Sequence, residues 1–133
     1  MNRALSYDDV LLVPQYSDID SRTEIDIGTD LGKNIKLTLP IIASPMDTIT
    51  STRMALAMAA AGGTGVVHRY NTPASQCEQI PQLMLETGGT SQIGAAIGVN
   101  GDYLERAHQL ITAGVGFFCV DVAHGHHVMV KRA

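Results

Sequence analysis

The chain has 133 residues, a net charge of −4, 45% hydrophobic residues and 17% charged residues. These values predict a single globular domain and exclude a disordered chain, and the absence of a basic block argues against nucleic acid as a partner. The longest apolar run is too short to cross a bilayer and the N-terminus lacks the apolar core of a signal peptide, so we predict a cytoplasmic protein without membrane contact.

Residues 1–38 precede the regular part of the pattern and are predicted to form an N-terminal extension. Within them, "LSYDDVLLVP" predicts a short strand that ends at Pro14. From residue 39 onward, apolar segments typical of buried strands alternate with helical segments. The strands are predicted at 39–43, 64–68, 91–99 and 114–122, and the helices at 50–63, 71–89, 101–114 and 127–133.

Local signals predict the ends and faces of these helices. Thr72 and Pro73 are typical of the start of the second helix, in which Pro81 predicts a kink or a split. The third helix is predicted to end at Gly114 and to present one face to its neighbours. That face consists of Leu104, Ala107, His108 and Ile111.

Strands that alternate with helices predict a parallel sheet with right-handed crossovers. Two α/β architectures fit this pattern: a doubly wound open sheet, or part of a (β/α)8 barrel. A full barrel needs about 250 residues, and this chain has room for about half of one. The glycines form no G-x-G-x-x-G sequence directly after a strand, which weakens the case for an open dinucleotide-binding sheet.

Polar residues follow each predicted strand at its C-terminal end, where both architectures place their chemistry. These clusters lie at 44–47, 68–71, 98–101 and 121–127. Asp121 directly follows the apolar "FFCV", and a carboxylate in that position needs a partner or a ligand. Arg69 is interpreted as an ion-pair partner or as part of a site. Ser44 can equally be a turn residue, and Met46 is more often a core residue than a ligand contact.

Three histidines after Asp121 raise the possibility of a zinc site. Only His124 and His126 have compact spacing, and no acidic or thiol ligand accompanies them locally, so we predict no metal site. Cys77 and Cys119 are far apart in the sequence and form no Cys-x-x-Cys pair. They are predicted to be free thiols in a reducing compartment.

The sequence "LSYDDVLLVPQYSDI", followed by "PIIASPMDTIT", "GGTGVVHRYNT" and "VDVAHGHH", resembles the IMP dehydrogenase/GMP reductase family from Leu5 to the last residue. The resemblance implies a (β/α)8 TIM barrel that binds a purine 5′-monophosphate across its mouth, with a nicotinamide cofactor beside it. Residues 39–133 would be the first four βα units of that barrel, incomplete by themselves. IMP dehydrogenases oxidise IMP to XMP with NAD, and GMP reductases reduce GMP to IMP and ammonia with NADPH.

The resemblance also implies roles for individual residues. Ser44 and Met46 match the family's nucleotide-contacting pair after the first strand. Asp121 matches an aspartate near the nicotinamide, and His124 and Arg69 are assigned with it to cofactor binding. No catalytic residue is assigned in this chain, because neither cysteine lies in the family's Gly-Ser-x-Cys-x-Thr setting. Without that nucleophile no covalent thioimidate can form, so we expect the chain alone to have no turnover.

Two features bear on which family member this is. Arg69 stands where GMP reductases carry a lysine that takes part in deamination, and arginine is a poor proton donor. "DVAHGH" is also closer to the dehydrogenase loop, so IMP dehydrogenase with NAD is favoured over GMP reductase with NADP. The chain has no CBS insertion between the second helix and the third strand, as in reductases and compact dehydrogenases. The resemblance further implies a homotetramer and, in an intact enzyme, a potassium ion that residues outside this chain would hold.

Two classes of hypothesis stay open. In the first, the chain is the N-terminal part of an oxidoreductase of purine nucleotide biosynthesis, and the final "MVKRA", which breaks off in a helix without a C-cap, favours this. In the second, the chain is a self-associating half barrel that acts as a binding or structural module. An open half barrel exposes sheet edges and an apolar face, and self-association would cover them.

Overall fold

The structure, a computed structural model, describes residues 3–32, 35–89 and 92–133. The first part of the chain has little regular structure. Its elements are two 3-10 turns, Tyr7–Asp9 and Arg22–Glu24, and an antiparallel hairpin of β1 (Thr29–Asp30) and β2 (Lys36–Leu37). The Gln92 side-chain amide donates to the Lys36 carbonyl at 3.0 Å. This hydrogen bond attaches the hairpin to the rest of the domain.

The strand predicted in "LSYDDVLLVP" is wrong. Residues 10–14 pair with no strand in the part of the chain that the structure describes, and Leu11 and Leu12 are 94% and 98% exposed. The preceding turn is closed locally, because the Asp9 carboxylate accepts from the Ser6 backbone N–H at 2.9 Å and from its hydroxyl at 3.0 Å. The apolar run has strand character, but no neighbouring strand lies beside it to pair with.

Four strands after residue 41 form a parallel sheet, which confirms the prediction of parallel pairing. They are β3 (Ile42–Ala43), β4 (Thr64–Val67), β5 (Gly94–Ile97) and β6 (Phe117–Val120). Each strand pairs with the next along the chain, in the order β3-β4-β5-β6. This order lacks the reversal that a doubly wound sheet requires. Right-handed crossovers that always step in the same direction place the connecting helices on one face.

Four helices follow the strands in turn. They are α1 (Thr52–Ala60), α2 (Pro73–Glu86), α3 (Tyr103–Ala113) and α4 (Val128–Arg132). Two predicted helix ends are confirmed: the Thr72 hydroxyl accepts from the Ser75 N–H at 3.2 Å, and Gly114 ends α3 with φ of 94°. Glycine adopts that left-handed conformation without steric cost. In the ranges described, no helix is long and apolar enough to cross a bilayer.

Pro81 lies inside α2, and the predicted split of this helix is wrong, since α2 is continuous from Pro73 to Glu86. The residues around the proline explain the continuity. Ile80 and Leu83 are fully buried in the core. Their burial offsets the hydrogen bond that a proline nitrogen cannot donate to the preceding turn.

The predicted face of α3 is also wrong. It consisted of Leu104, Ala107, His108 and Ile111, and all of these except Ala107 are exposed. The helix instead buries Arg106 and Leu110. Arg106 can enter the interior because its guanidinium finds hydrogen-bond acceptors there, and a buried charge is tolerated only when it is paired in this way.

The core lies between the sheet and the helices. Its buried cluster consists of Ala55, Val67, Ile80, Leu83, Ile93, Ala95, Ile97 and Leu110. One glycine decides how closely a helix approaches the sheet: a Cβ at Gly65 would lie only 2.8 Å from the Ala55 Cα. The absence of a side chain at Gly65 therefore lets α1 pack directly against β4.

Candidate functional site

The C-terminal ends of the four parallel strands lie along one edge of the sheet, so the loops that follow them are neighbours. The polar clusters predicted at 44–47, 68–71, 98–101 and 121–127 all lie in these loops. Strands β4 and β5 are buried along their whole length, and exposure begins at His68 after β4 and at Val99 after β5. This edge, which we call the rim, is where polar side chains meet solvent.

Arg69 and Asp121 form an ion pair at the rim. The Arg69 Nε donates to Asp121 Oδ2 at 3.1 Å, and its Nη2 donates to the Asp121 carbonyl oxygen, also at 3.1 Å. The two side chains are 35% and 27% exposed. The ion-pair interpretation of Arg69 is therefore confirmed, and the partner that Asp121 was predicted to need is Arg69.

The Asp121 end of this pair is fixed by the sheet. The Asp121 backbone N–H donates to the Ile97 carbonyl at 2.9 Å, which extends the pairing of β5 with β6 by one residue. Arg69 comes from β4, two strands away, so its side chain must cross β5. It crosses at Gly98, where an added Cβ would lie 3.4 Å from Arg69 Nη1. A Cβ at that distance would be in ordinary van der Waals contact, so a small residue at position 98 leaves room for the crossing guanidinium.

The loop after β4 is tied from beneath by a buried polar network. The Arg106 Nη2 donates to the Asn71 carbonyl oxygen at 2.9 Å and to Asp102 Oδ2 at 2.7 Å, while Nη1 donates to Gln76 Oε1 at 2.8 Å. The Gln76 amide in turn donates to the carbonyls of Val67 at 3.1 Å and Ala96 at 3.0 Å. These carbonyls belong to β4 and β5, so the network joins two strands, two helices and one rim loop.

Ser44 and Met46 lie in a compact turn after β3. The Met46 N–H donates to the Ser44 carbonyl at 2.8 Å, and the Thr50 N–H donates to the Met46 carbonyl at 2.9 Å. Thr50 is fully buried and its hydroxyl also donates to the Ser44 carbonyl, so it anchors the turn from below. Ser44 is exposed and Met46 is 47% exposed. The interpretation of Met46 as a core residue is therefore wrong.

The rim does not bring all the predicted site residues together. Ser44 and Met46 follow β3, at one edge of the sheet, and Asp121 follows β6 at the other. Neighbouring strands are about 4.8 Å apart, so three such spacings separate the two groups by about 14 Å. No hydrogen bond or ion pair joins them within the described ranges.

The histidines form a loop of their own after β6. The rings of His124 and His126 lie edge to face with centroids 6.4 Å apart. His127 caps α4, since its Nδ1 accepts from the Met129 N–H at 3.2 Å. Together with the loop after β5, His124 and His127 line a cavity of about 250 Å³. Among the residues described, no group of three or more His, Cys, Asp and Glu side chains is placed to hold a metal ion.

Both cysteines are free thiols, as predicted. Burial raises the pKa of the Cys77 thiol, although the nearby positive charge of Arg106 opposes this rise. Burial also raises the pKa of the Cys119 thiol, and the carboxylate of Asp121 adds to the effect. Because the thiolate is the reactive form, neither environment activates a cysteine as a nucleophile.

The network of buried Gln76 and Arg106 with the exposed Asp102 was missed from the sequence. The signal was a polar residue within an apolar helical stripe: Gln76 precedes Ile80 by one turn, and Arg106 precedes Leu110 by one turn. A polar residue at such a position must find internal partners. The predicted face of α3 contains Leu104 and Ile111. A helix that buried this face would direct Arg106 toward solvent, so the buried position of Arg106 was not predicted.

A family of known proteins matches nearly the whole chain. The family described as IMP dehydrogenase / GMP reductase domain matches residues 4–133. The chain belongs to this family. The match extends over nearly the whole chain, so it includes both the irregular N-terminal part and all four strands of the parallel sheet.

Curated relatives carry both names of the family. An inosine-5′-monophosphate dehydrogenase from Nitrosopumilus maritimus is 42% identical over 98 residues, which are 74% of this chain and 20% of that protein. One from Cryptosporidium parvum is 32% identical over 172 residues, covering 99% of this chain and 42% of its own length. A GMP reductase from Leishmania donovani is 45% identical over 79 residues, or 59% of this chain and 16% of that protein. The chain thus spans less than half the length of these relatives, and similarity alone does not separate dehydrogenase from reductase.

Proposed function

We propose that this chain forms the first four βα units of a (β/α)8 barrel and contributes part of the active site of a purine-nucleotide oxidoreductase. Residues 39–133 would be the barrel portion and residues 1–38 an extension before it. The reaction we favour is the oxidation of IMP to XMP with NAD. The alternative in the same family is the NADPH-dependent reduction of GMP.

The strand order carries this proposal. Four consecutive parallel strands lie in the sequence order β3-β4-β5-β6, with no reversal and with the polar clusters at their C-terminal ends. A barrel needs sequential order of this kind and places its active site at that end. The family match over residues 4–133 supports the same arrangement.

Ser44 and Met46 are proposed to bind the purine mononucleotide. Both residues are exposed on a turn that is anchored from below by the buried Thr50. A serine hydroxyl can donate to a phosphate or ribose oxygen, and a flexible thioether can pack on a flat base. An anchored turn loses little further entropy when the ligand binds.

Asp121, Arg69 and His124 are proposed to bind the nicotinamide cofactor. Arg69 occupies Oδ2 of Asp121, and no hydrogen bond to Oδ1 is found in the described ranges. That oxygen can accept a hydrogen bond from a carboxamide N–H, so this free acceptor fits the carboxamide of a nicotinamide. The bound cofactor would supply the hydride acceptor; Asp121 would orient the ring. Arg69 would hold the carboxylate in position, and His124 would line the adjacent cavity.

The chain tested by itself is proposed to bind ligand without turnover. Cys77 lies in α2 and Cys119 lies inside β6, and the pKa of each thiol is raised by burial. Neither environment favours the thiolate, so neither thiol is proposed as the nucleophile that attacks the purine. The nucleophilic cysteine would have to come from residues outside this chain.

The binding of IMP to the ¹⁵N-labelled chain tests this proposal. IMP should shift the backbone signals of residues 44–50, and S44A should weaken binding about tenfold if the hydroxyl donates to a phosphate. S51A is the matched control, because Ser51 is exposed nearby and its side chain makes no capping hydrogen bond. NAD should then shift signals of residues 121–127. If GMP and NADPH bind but IMP and NAD do not, the reductase alternative stands; if none of the four binds, the proposal is wrong.

A homo-oligomer is a second element of the proposal. Large apolar side chains of the N-terminal part are almost fully exposed, with Leu11, Leu12 and Tyr16 at 94%, 98% and 93%. Exposed apolar surface of this kind is typical of interaction sites. Sedimentation velocity of the purified chain should show a concentration-dependent oligomer, which L11S/L12S should weaken. A monomer at all concentrations contradicts this element and leaves the ligand proposal untouched.

A further inference from the structure

We propose that Arg106 is a positioning residue. Together with Gln76 it holds the loop after β4 in place, so that Arg69 can reach Asp121. The effect on the Arg69–Asp121 ion pair is a property of the fold alone. Its consequence for ligand binding rests on the proposed function, in which this ion pair holds the cofactor-binding carboxylate.

Arg106 is placed to fix that loop. It is only 5% exposed, yet its guanidinium donates to three acceptors: Gln76 Oε1, the Asn71 carbonyl and the carboxylate of Asp102. Asn71 ends the loop that begins at His68 and contains Arg69. A charged group that donates to a backbone carbonyl makes a strong and directional hydrogen bond. The C-terminal end of the loop that contains Arg69 is therefore held in a fixed position next to α3.

Gln76 fixes the near end of the same loop. Its amide donates to the carbonyl of Val67, the last residue of β4, and to the carbonyl of Ala96 in β5. Its Oε1 accepts from Arg106. One buried side chain thus links the end of β4, the neighbouring strand that Arg69 crosses and the guanidinium that holds Asn71. The network thereby couples the loop to the strand beneath it.

Asn71 shows that the position of the loop has an energetic cost. The Asn71 Oδ1 is buried, and no residue in the described ranges gives it a hydrogen bond. Burying such an atom is unfavourable, and a loop free to relax would turn it toward solvent. The loop is instead held by its backbone carbonyl, through Arg106. This unfavourable burial lies next to the ion pair of the proposed site. It is a reason to assign the network a positioning role as well as a packing role.

The geometry requires arginine at this position. Its planar guanidinium meets acceptors from α2, from the rim loop and from the start of α3 simultaneously. A lysine carries the same charge but has a single ammonium group and cannot reproduce this fork. R106K therefore separates the effect of geometry from the effect of charge.

The test follows the side-chain N–H of Arg69 by NMR in the 133-residue chain. In the native chain the Arg69 Nε proton, bound to Asp121, should exchange slowly with water. In R106M and R106K its exchange should accelerate about fivefold. This factor corresponds to the upper end of the free energy that a partly exposed ion pair contributes. R53M is the matched control: Arg53 is an exposed arginine on α1, and its loss should leave the Arg69 signal unchanged.

Two outcomes decide the proposal. If R106M is folded, is less stable and keeps the native exchange rate at Arg69, the network only packs the core and the proposal is overturned. If R106M does not fold, R106K decides, because it keeps the positive charge beside Asp102 and loses the fork that reaches Gln76 and the Asn71 carbonyl. Faster Arg69 exchange in R106K then supports positioning, and an unchanged rate overturns it.

A ligand titration separates this proposal from the proposed function. If the native chain binds NAD in the presence of IMP, R106M should weaken NAD binding by about the same fivefold factor. If the native chain binds neither probe, the proposed function fails. The exchange of the Arg69 Nε proton would still decide, in either direction, whether Arg106 positions the loop.

Discussion

Arg69 contacts Asp121 across an intervening strand, and its guanidinium lies directly against Gly98. The pair is 52 residues apart in sequence, yet Nε and Oδ2 are 3.1 Å apart. Arg69 follows β4 and Asp121 follows β6, with β5 between them. The guanidinium passes over the end of β5 so closely that a Cβ at Gly98 would lie 3.4 Å from Nη1. Three loops of the rim therefore form one structural unit.

Enlarging Gly98 should break this unit. G98V is expected to displace the Arg69 guanidinium, because a branched side chain would occupy the space above β5, whereas G98A should cause only a small shift at a Cβ distance of 3.4 Å. The measurement is the Arg69 Nε–H signal in ¹⁵N spectra of G98A and G98V. A native signal in G98V would show that Arg69 reaches Asp121 by another path.

The glycine beneath α1 gives a prediction about stability. G65A would place a Cβ 2.8 Å from the Ala55 Cα and 3.0 Å from its Cβ, so α1 must move away from β4. Overpacking of this kind costs about 1–3 kcal/mol. Urea unfolding measures the loss. G125A is the control, since no atom lies within 4 Å of a Cβ there, and it should leave stability nearly unchanged; equal losses in both variants would contradict the close approach.

Much of this architecture is predictable from the sequence, for a physical reason. Strands buried on both faces are continuous apolar runs, and helices between them carry start and stop signals such as Thr72 and Gly114. The common edge of the polar clusters then follows from parallel pairing. The pairing of Arg69 with Asp121 depends on which strand lies between them and on the size of Gly98. Those are properties of the folded sheet rather than of local sequence.

The errors have physical causes as well. The apparent apolar face of α3 contains Leu104 and Ile111, and hydrophobicity alone favours burying them. The helix instead buries Arg106, because the hydrogen bonds from its guanidinium to Gln76, Asn71 and Asp102 compensate its charge. A pattern method cannot see acceptors supplied by other segments, so it assigns a buried arginine to the surface.

Pro81 offers a test of how packing overrides local preference. P81A should raise the free energy of unfolding by about 1–3 kcal/mol, since alanine restores the missing N–H donor and has the higher helix propensity. Pro81 is exposed, so no core volume changes. Urea unfolding checks this, with E78A on the exposed side of the same helix as the reference. A loss of stability in P81A would mean that α2 needs a proline-induced bend to bury Ile80 and Leu83.

The half-buried Cys119 thiol next to the rim predicts how stability changes with pH. Burial and the charge of Asp121 raise the pKa of Cys119 in the folded chain, while in the unfolded chain the thiol titrates near its ordinary value of about 8.5. Below that value both states are protonated and stability is unaffected. As the pH rises above it, the unfolded state ionises first, so stability falls until the raised folded pKa is passed.

Replacing the thiol should remove this part of the pH dependence. C119A should flatten the decline of the urea midpoint between about pH 7 and about pH 10, because no group is left at this position to ionise on unfolding. C77A should flatten it too, since the pKa of Cys77 is also raised, but less, because the positive charge of Arg106 opposes that rise. Combining C119A with R106M tests the charge beside Cys77: the part of the slope that comes from the Cys77 thiol should steepen relative to C119A alone, because its thiolate loses its favourable neighbour. An unchanged slope in C119A would mean that Cys119 ionises as readily in the folded chain as in the unfolded one.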